Sequence, residues 1–336
     1  MEIFLNILFF VVGIAILIKG SDLFIDGTIA VAKRLKVSAM FIGLTIVAFG
    51  TSVPELAICI ANAINNSLEM SVGNVVGSNM FSMLFALGVV AIVAPIQIEK
   101  SNKKLDLPFF ILTALMLLIF SCDVIFGADT GYISRIESLI LFLILIVYFI
   151  FQVLTAKNVK KIENEQKDIV QENVEKKNDE KILSVKRMVF YIIIGIVLVG
   201  FGGECVSVTA EFLAGQLGMS EKLIGLTVVA FVASMPELVT SVIAIKKGEN
   251  ALALGNIIGS NIINICLILA LVGLIQPIVV SNAVLIDLII LAVSSVLFSI
   301  FCITRSKLAR QEGVVMVVIY VLYIVFSIIR NYILLF

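Results

Sequence analysis

The chain of 336 residues contains no histidine and no tryptophan. Without imidazole, the usual zinc-ligand sets and histidine-based acid–base catalysis are all but excluded. Charge is scarce too: 14% of residues carry it, against about 25% in a soluble domain. Lys plus Arg and Asp plus Glu balance at 24 each, so the basic excess of a nucleic-acid binder is missing. The five cysteines, Cys59, Cys122, Cys205, Cys266 and Cys302, are scattered through apolar runs without paired spacing. They read as small buried hydrophobes rather than disulfides or metal ligands. What remains is apolar, 61% of the chain, which marks a polytopic membrane protein. The opening MEIFLNILFF has no basic leader and no small-residue cleavage site behind it, and reads as a retained first helix.

About 20 apolar residues cross a hydrocarbon core. Ten stretches qualify: 3–31, 38–64, 71–96, 107–127, 134–155, 187–215, 220–245, 251–277, 282–304 and 313–334. The expected fold is therefore all-α, with ten transmembrane helices. Residues 156–186 are dense in Lys, Glu, Asn and Gln and must be aqueous, as a flexible segment or a solvated helix. They divide the chain into 1–155 and 187–336, five spans each. If this loop is cytoplasmic, 20 of the 24 basic residues fall on its side of the membrane, a strong positive-inside signal. Both termini are then outside.

One stretch occurs twice. Residues 42–56 read IGLTIVAFGTSVPEL and residues 224–238 read IGLTVVAFVASMPEL, with eleven of fifteen positions identical at an offset of 182. The same offset aligns Gly20 with Gly202, Asp22 with Glu204 and Pro95 with Pro277. Five spans separate equivalent positions, and five is odd, so the copies cross the membrane in opposite directions. That is the inverted-repeat plan of secondary transporters, whose substrates bind near the midplane on broken helices.

Each copy places a proline and a glutamate, Pro54-Glu55 and Pro236-Glu237, inside an apolar span. A carboxylate there costs at least about 3 kcal/mol and marks a functional site by default. Proline cannot donate a backbone hydrogen bond, and its ring clashes with the carbonyl four residues earlier, here Gly50 and Val232. Freed carbonyls at that depth need protein, water or an ion. Thr51, Ser52 and Ser234 add hydroxyls beside the breaks. Carbonyls, hydroxyls and one carboxylate per copy form an all-oxygen set suited to Ca²⁺, and Na⁺ shares that preference. A second duplicated motif, GNVVGSN at 73–79 and GNIIGSN at 255–261, offers small-xxx-small pairs for close helix packing. Ser78 and Ser260 are candidates to add oxygens to ions held by the glutamates, and Ser82 and Asn264 lie one turn further on. Asn74, Asn79, Asn256 and Asn261 fit either ion ligation or bracing of broken backbone. Asp22 and Glu204 suit an access path for cations, although Lys19 is placed to pair with Asp22. Asp106, Asp123, Asp129, Glu137 and Asp287 read as solvated interface residues.

The paired GTSVPE and SMPE segments, each followed by GN-x-x-GSN, resemble the two alpha repeats of the cation/calcium exchanger superfamily, sodium/calcium exchanger branch. Prokaryotic calcium/sodium antiporters are the nearest likeness, because the loop is too short for the calcium-sensing domains of animal members. The resemblance implies that Glu55 and Glu237 share Ca²⁺ or Na⁺. It implies Thr51, Ser52, Ser78 and the carbonyl of Ala48 as ligands around the first, and Ser234, Ser260 and the carbonyl of Ala230 around the second. It further implies exchange of cytoplasmic Ca²⁺ for external Na⁺ by alternating access, spans 1 and 6 sliding past the other eight. The sequence departs from the pattern at Val232 for Gly, Ala233 for Thr, Ser82 for Asn and Asn264 for Asp, which bears on the Na⁺ sites more than on the divalent one.

The expected activity is thus Ca²⁺/Na⁺ antiport in the cell membrane, with Ca²⁺/H⁺ exchange on the same glutamates as the alternative. A passive cation channel fits broken inverted repeats less well, and an intramembrane acid protease lacks its aspartate pair. No enzymatic activity, resident cofactor or obligatory protein partner is expected; the partners are inorganic cations and the lipid bilayer.

Overall fold

The computed structural model describes residues 1–98, 103–123, 131–169, 183–218, 230–305 and 307–333. It is all-helical apart from two short strand pairs. The helices are α1 (Glu2–Leu35), α2 (Ala39–Thr51), α3 (Val53–Ile64), α4 (Leu68–Val93), α5 (Asp106–Phe120) and α6 (Arg135–Ile169). The second half holds α7 (Val185–Gln216), α8 (Ala230–Ala233), α9 (Met235–Lys246), α10 (Asn250–Ile275), α11 (Asn282–Arg305) and α12 (Arg310–Ile333).

Among the described residues seven helices are long and apolar enough to cross a membrane, or eight if the bent pair α2–α3 is one span. The expected fourth span is represented by α5, which has 15 residues. Most of the first half of the expected seventh span, 219–229, lies outside the described residues, as does 170–182 of the polar loop. Residues before that gap continue α6 as far as Ile169, well past the expected end of the fifth span.

Local chemistry sets the helix ends. Ser38 accepts the Phe41 N–H at 3.1 Å and starts α2, and Ser184 accepts the Arg187 N–H ahead of α7, both ordinary N-caps. Among the described residues four have positive φ, Lys36 (53°), Asn66 (58°), Gly218 (79°) and Gly248 (80°). They form two pairs at the same offset of 182, so the repeat in sequence is also a repeat in backbone conformation. Asn and Gly tolerate that left-handed geometry, and Lys36 is the costly member.

The interior belongs to α4 and α10, 78% and 83% buried over their apolar windows, while α1, α6, α7 and α12 are 17–28% buried and turn apolar side chains outward. Each inner helix widens into a π segment, Phe81–Ala86 and Asn264–Leu269, a feature that often marks functional sites. The two outer helices α1 and α7 pack backbone to backbone. A Cβ on Gly20 would lie 2.8 Å from Val199 N, and one on Gly202 would lie 2.6 Å from Leu17 N. The glycines recur every seven residues along the seam, at 13, 20 and 27 on one helix and at 195 and 202 on the other.

Two antiparallel strand pairs tie the halves together. β1 (Ile96–Gln97) pairs with β4 (Lys307–Leu308), and β2 (Gly131–Ile133) with β3 (Ile278–Val280). The connections expected after spans 3 and 9 therefore meet, as do those expected after spans 4 and 8. Two of the acids expected to be solvated are not. Asp106 is buried and accepts hydrogen bonds from Tyr148 Oη (3.2 Å) and Gln152 Nε2. Asp287 is gripped by Arg330, with Nη1 to Oδ1 at 3.1 Å and Nη2 to Oδ2 at 2.8 Å. Sequence position near a span end does not reveal that a partner waits on the next helix.

Candidate functional site

The duplicated motif breaks its helix in each copy, and at the same residue. Ser52 separates α2 from α3 with φ −85° and ψ 1°, and Ser234 separates α8 from α9 with φ −93° and ψ 9°. Both are in the sparsely populated bridge region where site residues often sit. Pro54 and Pro236 fall in the first turn of the new helix, where the missing N–H has no carbonyl to satisfy. The proline thus starts a second helix at an angle, 46° between α2 and α3, rather than kinking a continuous one. Glu55 and Glu237 follow in that first turn, next to the partial positive charge of a helix N-terminus.

Close packing brings the other motif alongside. Cβ atoms at Gly255 and Gly259 would lie 2.6 Å from Met40 O and 2.7 Å from Leu44 O, so only glycine lets α10 cross α2 at this distance. The expected small-xxx-small role holds for that pair. In the first copy a Cβ on Gly73 would meet no described atom within 4 Å, and residues 219–229 lie outside the described residues.

Glu55, Glu237, Thr51, Ser52, Ser78, Ser82, Ser234, Ser260 and Asn264 are all buried. Glu55 and Glu237, from different halves, are close enough for their charges to interact. Buried polar atoms are hydrogen-bonded in more than about nine cases in ten. Here, among the described residues, ten buried side-chain atoms lack a partner, and nine are oxygens of this one region: both carboxylate oxygens of Glu55 and of Glu237, the hydroxyls of Ser52, Ser78 and Ser234, and the amide oxygens of Asn261 and Asn264. The tenth, Arg330 Nε, lies on α12.

The remaining candidates are partly engaged. Ser260 Oγ donates to Ile257 O at 3.1 Å. Ser82 Oγ donates to Asn79 O at 3.3 Å and accepts from Asn261 Nδ2 at 2.7 Å. The Ala48 carbonyl accepts Ser52 N–H at 3.1 Å and is also within reach of Thr51 Oγ1 at 3.3 Å. Ala230 opens α8, and its side chain is outside the described residues.

The asparagines left open by the sequence divide. Asn79 is a brace: Nδ2 donates to the backbone of Asn261 at 3.2 Å and Oδ1 accepts from Asn264 Nδ2 at 3.0 Å. Asn261 spends both described bonds through Nδ2, to Ser82 and to Ile257 O at 2.7 Å, and keeps its oxygen free. Sequence reasoning leaves Asn261 open between ligation and bracing because Asn79 and Asn261 look alike there. Lys19 pairs with Asp22 at 3.0 Å as expected, but Lys247 at the end of α9 also reaches Asp22 at 2.7 Å and Asp26 at 2.5 Å. Asp22 is therefore a tie between α1 and α9.

The bulkier second break has a counterweight. A Cβ on Gly50 would lie 2.5 Å from Phe24 Cζ, so glycine there makes room for that ring. At the equivalent positions Val232 stands for Gly50 and Val206 for Phe24. One large and one minimal side chain become two medium ones, and the backbone at Ser234 keeps the geometry of Ser52.

The sodium/calcium exchanger protein family model matches residues 5–154 and 187–329. The chain belongs to the sodium/calcium exchanger family. Among exchanger relatives, it is 32% identical over 342 residues to the sodium/calcium exchanger MaX1 of Methanosarcina acetivorans, covering 95% of this chain and 97% of that one. It is 34% identical over 276 residues to the putative antiporter CaxA of Alkalimonas amylolytica, covering 82% of each. A solved structure of the sodium-calcium exchanger NCX_Mj, soaked with 10 mM Na⁺ and zero Ca²⁺, superposes with a TM-score of 0.79 at 30% identity, over 96% of this chain and 99% of that one. These relatives are named as an exchanger and a putative antiporter, not as enzymes, and the exchanger family makes this a multi-pass membrane protein.

Proposed function

We propose that this protein is a secondary antiporter that exchanges Ca²⁺ for Na⁺ at one buried site shared by Glu55 and Glu237. The observation that carries the reading is the cluster of nine unpartnered buried oxygens, donated by both halves. Unpartnered acceptors on this scale cost several kcal/mol unless a cation takes them up. Thr51, Ser52, Ser78, Ser234 and Ser260, the carbonyls of Ala48 and Ala230, Ser82 and Asn264 complete the ligand set around the two carboxylates, and Asn261 joins them. Two glutamates supply a charge of −2, which one Ca²⁺ or two Na⁺ neutralise, so competition for the same oxygens couples the ions. Exchange then requires that occupancy bias inward- and outward-open states differently.

The reading includes ten spans in two inverted repeats, residues 1–155 and 187–336, with the 156–186 loop cytoplasmic and both termini outside. It is supported by the offset of 182 between left-handed residues and by strand pairings that join connections of like parity. The Na⁺ counter-ion is favoured over H⁺ by the relatives' names. Proteoliposomes test the proposal. Ca²⁺ uptake should follow an outward Na⁺ gradient, and uptake driven by a pH gradient without Na⁺ would overturn it.

A further inference from the structure

A hydrogen-bonded relay beside the site exists in one half of the repeat and is dismantled in the other. Thr51 Oγ1 donates to Asn256 Oδ1 at 3.1 Å, across the two halves, and both residues are buried. Asn256 Nδ2 in turn donates to Ser241 Oγ at 3.0 Å and lies 3.5 Å from Glu237 O. Those acceptors fix which way the Asn256 amide faces, so its oxygen is presented to Thr51. A threonine hydroxyl has one proton and two lone pairs. With the proton drawn to Asn256, what Thr51 offers its surroundings is acceptor capacity, which is what a cation needs. Released from Asn256, the proton would turn to the Ala48 carbonyl at 3.3 Å or to the Glu237 carboxylate beside it, where it competes with the ion.

At the equivalent positions, 182 away, stand Ala233, Asn74 and Cys59. Asn74 Nδ2 reaches Cys59 Sγ at 3.4 Å, a weak acceptor, and Ala233 has no hydroxyl to orient. Both oxygens of the relay have gone together.

We propose that Asn256, set by Ser241, is a positioning residue that turns the Thr51 hydroxyl into a cation acceptor, so that Na⁺ coordination is one-sided in this protein. The inference rests on the exchange reading above. It predicts ion specificity because two Na⁺ must be held by the oxygens that hold one Ca²⁺. The four carboxylate oxygens are common to both states, so neutral oxygens fill a larger share of the coordination positions around two Na⁺ than around one Ca²⁺.

The test uses the purified full-length protein, with Ca²⁺ binding and its displacement by Na⁺ as separate readouts. Asn256→Leu should weaken Na⁺ competition about tenfold, the worth of roughly one hydrogen bond, and Ser241→Cys, which copies the other half, about threefold. Ca²⁺ affinity should stay within about twofold in both. Ser241→Cys is the conservative variant that decides the matter if Asn256→Leu fails to fold. Ala233→Thr alone should change Na⁺ competition little, and Ala233→Thr with Cys59→Ser should strengthen it. Equal losses for both ions, no change for either, or a full gain from Ala233→Thr alone would overturn the relay. A parent protein that shows no Na⁺-driven Ca²⁺ flux would instead overturn the exchange reading, so the two failures are distinct.

Discussion

Replacing Glu55 by Gln removes one of two buried charges while leaving shape and an oxygen ligand in place. With both carboxylates the site carries −2, and Ca²⁺ brings it to zero; in Glu55→Gln a bound Ca²⁺ leaves +1 in a buried setting. At a contact of about 2.4 Å and an effective dielectric of about 20, one carboxylate attracts Ca²⁺ by about 14 kcal/mol and Na⁺ by about 7 kcal/mol. Lost hydration, which grows with the square of the ionic charge, cancels most of both, so the net charge left in the site decides the outcome. Measured costs of stranding a buried charge are about 3–5 kcal/mol, about 150- to 5,000-fold in Kd. Calorimetric titration should therefore show Ca²⁺ binding lost over the accessible range, while one Na⁺ still neutralises the site and binds. Glu237→Gln should behave alike. Removing one of two unpartnered buried charges should also raise the melting temperature of the ion-free protein. Ca²⁺ affinity within about fivefold of the parent, or equal losses for both ions, would refute a site shared by two glutamates.

Three further outcomes follow from packing. Gly50→Val drives a side chain into Phe24 and should cost about 1–3 kcal/mol; thermal unfolding should show recovery in Gly50→Val with Phe24→Val, which copies the second half. Gly202→Val meets Leu17 backbone rather than a side chain that can swing away, so it should separate α1 from α7. A disulfide-trapping assay between cysteines introduced on the two helices should then lose its efficiency. Arg330→Met leaves Asp287 charged without its fork and should destabilise by about 3–5 kcal/mol; adding Asp287→Asn should restore much of the melting temperature.

The site is legible in the sequence because its chemistry conflicts with its setting. A glutamate after a proline in an apolar span needs a reason, and two of them at one offset share it, so Glu55, Glu237 and the break at Ser52 can be read directly. Run length marks the chain as a set of apolar helices, but 15-residue α5 and the continuation of α6 into the polar loop are not readable, since hydropathy does not mark where a helix stops. The asparagines are illegible for a different reason. Asn79 and Asn261 occupy matched positions in matched motifs, and only the direction of each amide separates brace from free oxygen. Val232 and Ala233 look like isolated departures because the matched changes, Val206 for Phe24 and Cys59 for Ser241, lie in other spans, where nothing local announces them. Asp106 and Asp287 mislead for the same reason: their partners lie on a neighbouring helix.

The glycine seam between α1 and α7 bears on leakage. Helices that touch through backbone atoms cannot tilt independently without clashing, so the pair shifts as one body. One half of the repeat supplies α1 and the other supplies α7, so under the proposed alternating access a shift that cleared one side of the site would advance the same body toward the other. The seam that costs the protein side-chain packing would then deny ions a continuous path down their gradients.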